Sequence, residues 1–240
     1  MTSPQRAFPV RLTGELDPDV GRWRWLFKWL LAIPHFIVLL FLWIGFVAST
    51  VVAGFAILFT GRYPRGIFDF NVGVLRWSWR VGFYSYSALG TDKYPPFSLD
   101  DDPAYPARLE VDYPEHLSRG LVLVKWWLLA IPHYLIVAIF TGGAWSAWND
   151  SGDGVLYATG GGLIGLLVLF AGLALLFTSR YPRSLYDFVL GLNRWVFRVV
   201  AYAGLMTDTY PPFRLDSGGT EPPAATGPTP ASPTSPVPTA

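Results

Sequence analysis

The chain says the same thing twice, and both copies carry long apolar runs. Leu31-Ala32-Ile33-Pro34-His35 returns as Leu129-Ala130-Ile131-Pro132-His133, and Arg62-Tyr63-Pro64-Arg65 as Arg180-Tyr181-Pro182-Arg183. Tyr94-Pro95-Pro96-Phe97 returns as Tyr210-Pro211-Pro212-Phe213. Tandem units bury their apolar faces against one another, so a pseudo-symmetric fold is expected. Residues 29–60 contain no Asp, Glu, Lys or Arg. As one helix that run would be about 48 Å long at ~1.5 Å per residue, against a bilayer core of about 30 Å. It therefore reads as a tight hairpin of two crossings, 25–43 and 45–60, turning near Gly45.

The second copy suggests the same reading. Its histidine lies 98 residues after the first, but its RYPR motif lies 118 after, so about 20 residues are added inside the apolar stretch. They include Asn149-Asp150-Ser151-Gly152-Asp153-Gly154, a polar turn. Two crossings, 121–141 and 159–178, follow. Arg and Lys flank the open ends of both hairpins, while the inserted loop carries only Asp150 and Asp153. The positive-inside rule then places both termini and both RYPR motifs in the cytoplasm.

Composition agrees with a membrane setting: 52% apolar, 15% charged and a mean hydropathy of +0.34. The net charge of +1 gives no footprint for nucleic acid. With no cysteine, disulfides and thiolate chemistry are excluded. The first 20 residues lack the apolar core of a signal peptide.

After each RYPR comes a helical pattern, 66–89 and 184–205. Asp69, Gly73, Arg76 and Arg80, and their counterparts Asp187, Gly191, Arg194 and Arg198, share one narrow face at spacings of 4, 3 and 4. Arginine in lipid is costly, so an amphipathic helix lying in the cytoplasmic interface is expected; the rival is a helix that crosses or is buried in the bundle with an Asp–Arg cluster. Extended segments at 8–12, 105–109, 97–99 and 213–215 form a small sheet on that side. The expected organisation is an N-terminal extended segment 1–20, repeats 21–104 and 105–216, and a disordered Pro/Thr/Ser/Ala-rich tail 217–240. The expected fold is a mainly α-helical integral membrane protein of two repeats. Each repeat is a transmembrane hairpin with an interfacial helix and short cytoplasmic strands.

Arg62, Arg65, Arg76, Arg80, Arg180, Arg183, Arg194 and Arg198 are the candidate lipid- or phosphate-binding residues, because guanidinium forms bidentate bonds with phosphate. Asp69 and Asp187 are their candidate ion-pair partners. Pro34, His35, Pro132 and His133 are candidate kink or switch residues, since proline frees a helix carbonyl and histidine titrates near neutrality. No metal or cofactor is expected. No motif of a hydrolase, kinase or metalloprotease is present, so no enzymatic activity is expected.

FTGRYPRGIFDFNVGVLRWSWRV at 59–81 and FTSRYPRSLYDFVLGLNRWVFRV at 177–199 resemble the signature of a prokaryotic membrane family called domain of unknown function 4389. The resemblance covers about 20–215 and implies a tandem two-repeat member, with no activity to carry over. The reading that follows is a non-enzymatic inner-membrane scaffold whose partners are lipids, anionic ones included, a membrane protein or a second copy. The competing reading is a small transporter or transport accessory subunit using the two Pro-His pairs.

Overall fold

The computed structural model describes residues 8–142 and 162–216. The polar turn at 149–154 and the tail 217–240 lie outside them. In chain order the elements are β1 (Val10–Gly14), α1 (Trp25–Thr60), α2 (Arg65–Tyr84), β2 (Ala107–Val111), α3 (Arg119–Val124), a π-turn (Lys125–Leu129) and α4 (Ile131–Thr141). α5 (Leu163–Thr178) and α6 (Arg183–Ala203) complete the second repeat. The chain is mainly α-helical, as expected.

The two repeats are interlocked through their strands. β1 pairs antiparallel with β2, and Leu12 faces Leu109 in register. β2 opens the second repeat yet packs on α2 of the first, while β1 packs on α6 of the second. The swap is sealed by two equivalent arginines. Arg76 Nε donates to Leu109 O and Arg194 Nε to Leu12 O, each at 3.0 Å. A pseudo-twofold axis therefore runs between those two leucines.

The ends of the RYPR segments repeat the reciprocity. Tyr63 Oη donates to Gly204 O at 3.3 Å, and Tyr181 Oη to Ala88 O at 2.8 Å. Each tyrosine thus bonds the segment just after the other repeat's core helix. The helix before each motif ends in a left-handed residue, Gly61 (φ 73°) or Ser179 (φ 58°). Proline then caps the next helix, where its missing N–H leaves no bond unmade.

Several expectations are corrected by this arrangement. The 25–43/45–60 hairpin does not exist, because α1 runs unbroken through 36 residues. Gly45 alone cannot turn a chain that has no Pro, Asn or Asp beside it, and it serves instead to admit the Phe70 ring. The helices expected in an interface, α2 and α6, are core: Val72, Val74, Leu75, Trp79, Val81, Val189, Leu192 and Val199 are buried. Only two of the four expected strands form. Leu99 and Leu215 instead press on Gly73 and Gly191, where a Cβ would stand 2.7 and 2.9 Å from the leucine Cβ.

The multi-pass inner-membrane assignment, with both termini cytoplasmic, falls as well. Among the described residues one helix, α1, is long and apolar enough to cross a membrane, or two if α3, the π-turn and α4 count as one span bent by 46°. α5 has 16 residues. Around these helices lie buried ion pairs and one continuous apolar and aromatic core drawn from both repeats. The leaflet scaffold required interfacial arginines and the transporter required membrane-crossing helices kinked at the two Pro-His pairs, so both lose the multi-pass premise they shared.

α1 has a second side. Lys28, Ala32, His35, Leu39, Phe46, Ala53 and Ile57 form its buried stripe. Trp29, Leu31, Val38, Leu40, Phe41, Ile44, Val47, Val51, Phe55 and Phe59 are exposed. At about 100° per residue these positions cover an arc of about 200°.

Candidate functional site

The most elaborate side-chain chemistry sits where the first helix of each repeat meets the core helix and the Tyr-Pro-Pro-Phe segment. In the first repeat, His35 is fully buried. Trp77 Nε1 donates to His35 Nδ1 at 3.0 Å, Phe97 stacks on the imidazole at 3.9 Å and 17°, and Tyr94 leans in at 4.9 Å. The second repeat reproduces the nest around buried His133. Trp195 Nε1 donates to His133 Nδ1 at 3.2 Å, Phe213 stacks at 4.6 Å and 18°, and Tyr210 lies at 4.8 Å.

The hydrogen bonds fix the tautomer. An indole N–H only donates, so Nδ1 must accept and the neutral ring carries its proton on Nε2. Neither Nε2 has a hydrogen-bond partner among the described residues. Burial pushes the His35 imidazole down to about 4, and the positive charge of Arg80 acts in the same direction. Burial also lowers His133. Both rings are therefore neutral at physiological pH, with no carboxylate of the described residues bonded to either. They are wedges in an aromatic stack, without the paired acid that proton transfer calls for.

Two turns toward the N-terminus, each first helix buries a lysine. Lys28 Nζ donates to Thr91 O at 2.6 Å and pairs with Asp92 Oδ1 at 2.8 Å. Lys125 Nζ donates to Thr207 O at 2.7 Å and pairs with Asp208 Oδ1 at 2.8 Å. Burial lowers both ammonium pKa values and the aspartates oppose it. The other oxygen of each aspartate accepts a backbone N–H from the segment leading into the helix, Gly21 for Asp92 and Ser118 for Asp208, both at 2.7 Å. Tyr84 and Tyr202 place their rings 5.2 and 5.0 Å from the ammonium groups.

The π-turn explains how the two clamps match. The first repeat reads Lys28-Trp-Leu-Leu-Ala-Ile-Pro-His35; the second has one more tryptophan, Lys125-Trp-Trp-Leu-Leu-Ala-Ile-Pro-His133. One inserted residue would rotate the lysine about 100° away from the histidine face. The chain absorbs it as a single π-turn, with Ala130 N–H donating to Lys125 O at 3.1 Å. Lysine and histidine stay on the buried face. This also places the prolines differently: Pro34 lies inside α1, whereas Pro132 is in the first turn of α4, beside the bend.

The eight arginines separate into two sets. Arg76, Arg80, Arg194 and Arg198 are turned inward: the first and third hold the swapped strands, Arg80 donates to Ser98 O, and Arg198 donates to Arg214 O and Asp216 O. Arg62, Arg65, Arg180 and Arg183 are exposed, and Arg65 lies over the Tyr113 ring at 4.2 Å. The structure does not bring the two sets together. Asp69 and Asp187 are exposed and form no ion pair with a described residue. Sequence reasoning missed Lys28, Asp92, Lys125 and Asp208. The signal was there: a lone lysine at the head of each apolar run, and Thr-Asp before each Tyr-Pro-Pro-Phe. Among the described residues no cluster of three His, Asp or Glu could hold a metal ion.

The sequence model of a family described as Domain of unknown function (DUF4389) matches residues 22–98 and 153–214, more than half of the chain. The chain is a tandem member of the DUF4389 family. No curated protein and no solved structure matches it. The first DUF4389 match contains the whole Lys28–Asp92 clamp and the His35 nest. The second takes in the Asp208 and Trp195 side of its site but begins after Lys125 and His133.

Proposed function

We propose that this chain is a non-catalytic assembly subunit that associates with further copies of itself through the apolar arc of α1. The single observation that carries the reading is that arc: large apolar side chains exposed along 36 residues of helix. Exposed apolar surface beyond a few hundred Å² marks an interaction surface. A helix about 54 Å long and ~10 Å across presents on the order of 900 Å² over such an arc. That is close to the ~800 Å² per partner typical of a stable protein–protein interface. Two further features support it. The two lysine–aspartate clamps and the arginine bonds to the swapped strands are engaged inside the fold. The two repeats also complement each other reciprocally, so these sequences pack well against their own kind.

Sedimentation of the full chain in buffer without amphiphile tests the reading. The chain should sediment as a dimer or larger, and Phe41→Asn, Ile44→Asn and Val51→Asn together should release the monomer. A monomeric parent chain, association indifferent to the three substitutions, or a chain that stays in solution only with detergent or lipid would each contradict it.

A further inference from the structure

Arg80 is buried to 2% exposure, and the only hydrogen bond of its guanidinium to a described residue is donation to Ser98 O. Its Nε and Nη1 have no partner among those residues. Asp102 and Asp101 act on the guanidinium through space without bonding to it: Asp101 pairs with Arg108 at 2.8 Å, and Asp102 Oδ1 accepts the Ala104 N–H at 3.0 Å. The unbonded Nε2–H of His35, also buried, belongs to the same repeat, and Arg80's charge reaches it. Every unpartnered group here is a donor. A buried cation with no bonded counter-charge is costly, and a set of orphan donors calls for an acceptor. The second repeat is better satisfied: Arg198 donates to two carbonyls at 3.2 and 2.6 Å, lies 5.1 Å from the Phe8 ring, and leaves only Nε unpartnered.

We propose that Arg80 binds a small monovalent inorganic anion of the halide class inside the first repeat. One buried positive charge is neutralised by one negative charge. A phosphate or sulfate dianion would leave an excess of charge in the same place. Arg198, with its extra carbonyl, binds no anion.

The test is thermal unfolding of the full chain in sodium chloride or bromide against sodium gluconate at equal ionic strength. Ligand that binds only the folded state raises the midpoint, so the halides should raise it by roughly 2–4 °C and the effect should saturate. Arg80→Met should abolish the halide response and Arg198→Met should keep it, each read against its own gluconate baseline. Should Arg80→Met not fold, the bromide anomalous signal in crystals of the unsubstituted chain decides: a peak in contact with Arg80 Nε or Nη1 is expected. Equal midpoints in all three salts, or no bromide at Arg80, would overturn the proposal.

Discussion

The two repeats build one site over two different helices. In the first, His35 lies seven positions after Lys28 on a continuous 36-residue helix. In the second, His133 lies eight positions after Lys125, and a π-turn followed by a bend takes up the difference. The clamp distances are nevertheless the same, 2.8 Å for both ion pairs, with the indole-to-imidazole bonds at 3.0 and 3.2 Å. What the fold holds fixed is the inward face, and helix regularity gives way to keep it. The repeats differ at their edges, where Asp92 is 9% exposed and Asp208 is 28% exposed.

That edge difference sets the largest expected effect. Lys28→Ala leaves a nearly buried carboxylate without its ammonium and should cost about 3–5 kcal/mol, whereas Lys125→Ala leaves a better hydrated one and should cost less. Urea unfolding of the two variants checks the order, and equal losses would remove the distinction between the repeats. Next come Gly73→Ala and Gly191→Ala. Each forces a Cβ against a leucine Cβ and its carbonyl, at 2.7 and 3.0 Å in the first repeat and 2.9 and 3.0 Å in the second. Each should lose about 1–3 kcal/mol in the same assay, the first more than the second.

Removing the reciprocal tyrosine hydroxyls should have a smaller effect. Tyr63→Phe and Tyr181→Phe each delete a bond to the other repeat, at about 1 kcal/mol apiece. Tyr63 should cost more, since its Oη also accepts from Asn71 at 2.9 Å. The smallest effect is at the helix ends. Ser179 adopts the left-handed conformation that Gly61 adopts in the first repeat, so Ser179→Gly should raise stability by about 0.5–1 kcal/mol. A loss in the thermal midpoint would show that the serine side chain does more there than tolerate strain.

The duplication and the helix breaks at the two RYPR motifs were legible because they depend on local chemistry. A proline without an N–H and a repeated motif mean the same thing in any surroundings. The hairpin at Gly45 was misread because helix length and analogy with the second copy divided an apolar run that has no Pro, Asn or Asp beside that glycine. The arginines were misread for a different reason. Spacing places Arg76 and Arg80 on one face of a helix, but whether that face meets water, phosphate or a backbone carbonyl is decided by β2 and Ser98, far along the chain. The strand exchange was illegible for the same reason: nothing local to Val10–Gly14 says that it packs on α6.

The central claim is that the repeats are interlocked into one cooperative unit. Native-state hydrogen exchange on the Gly191→Ala chain tests it most directly, because the substitution lies wholly in the second repeat. The interlock predicts that the amides of β1 and of α2 lose protection by the same free energy as those of α6. Loss confined to α6, with α2 protected as in the unsubstituted chain, would contradict it and leave two repeats that fold independently.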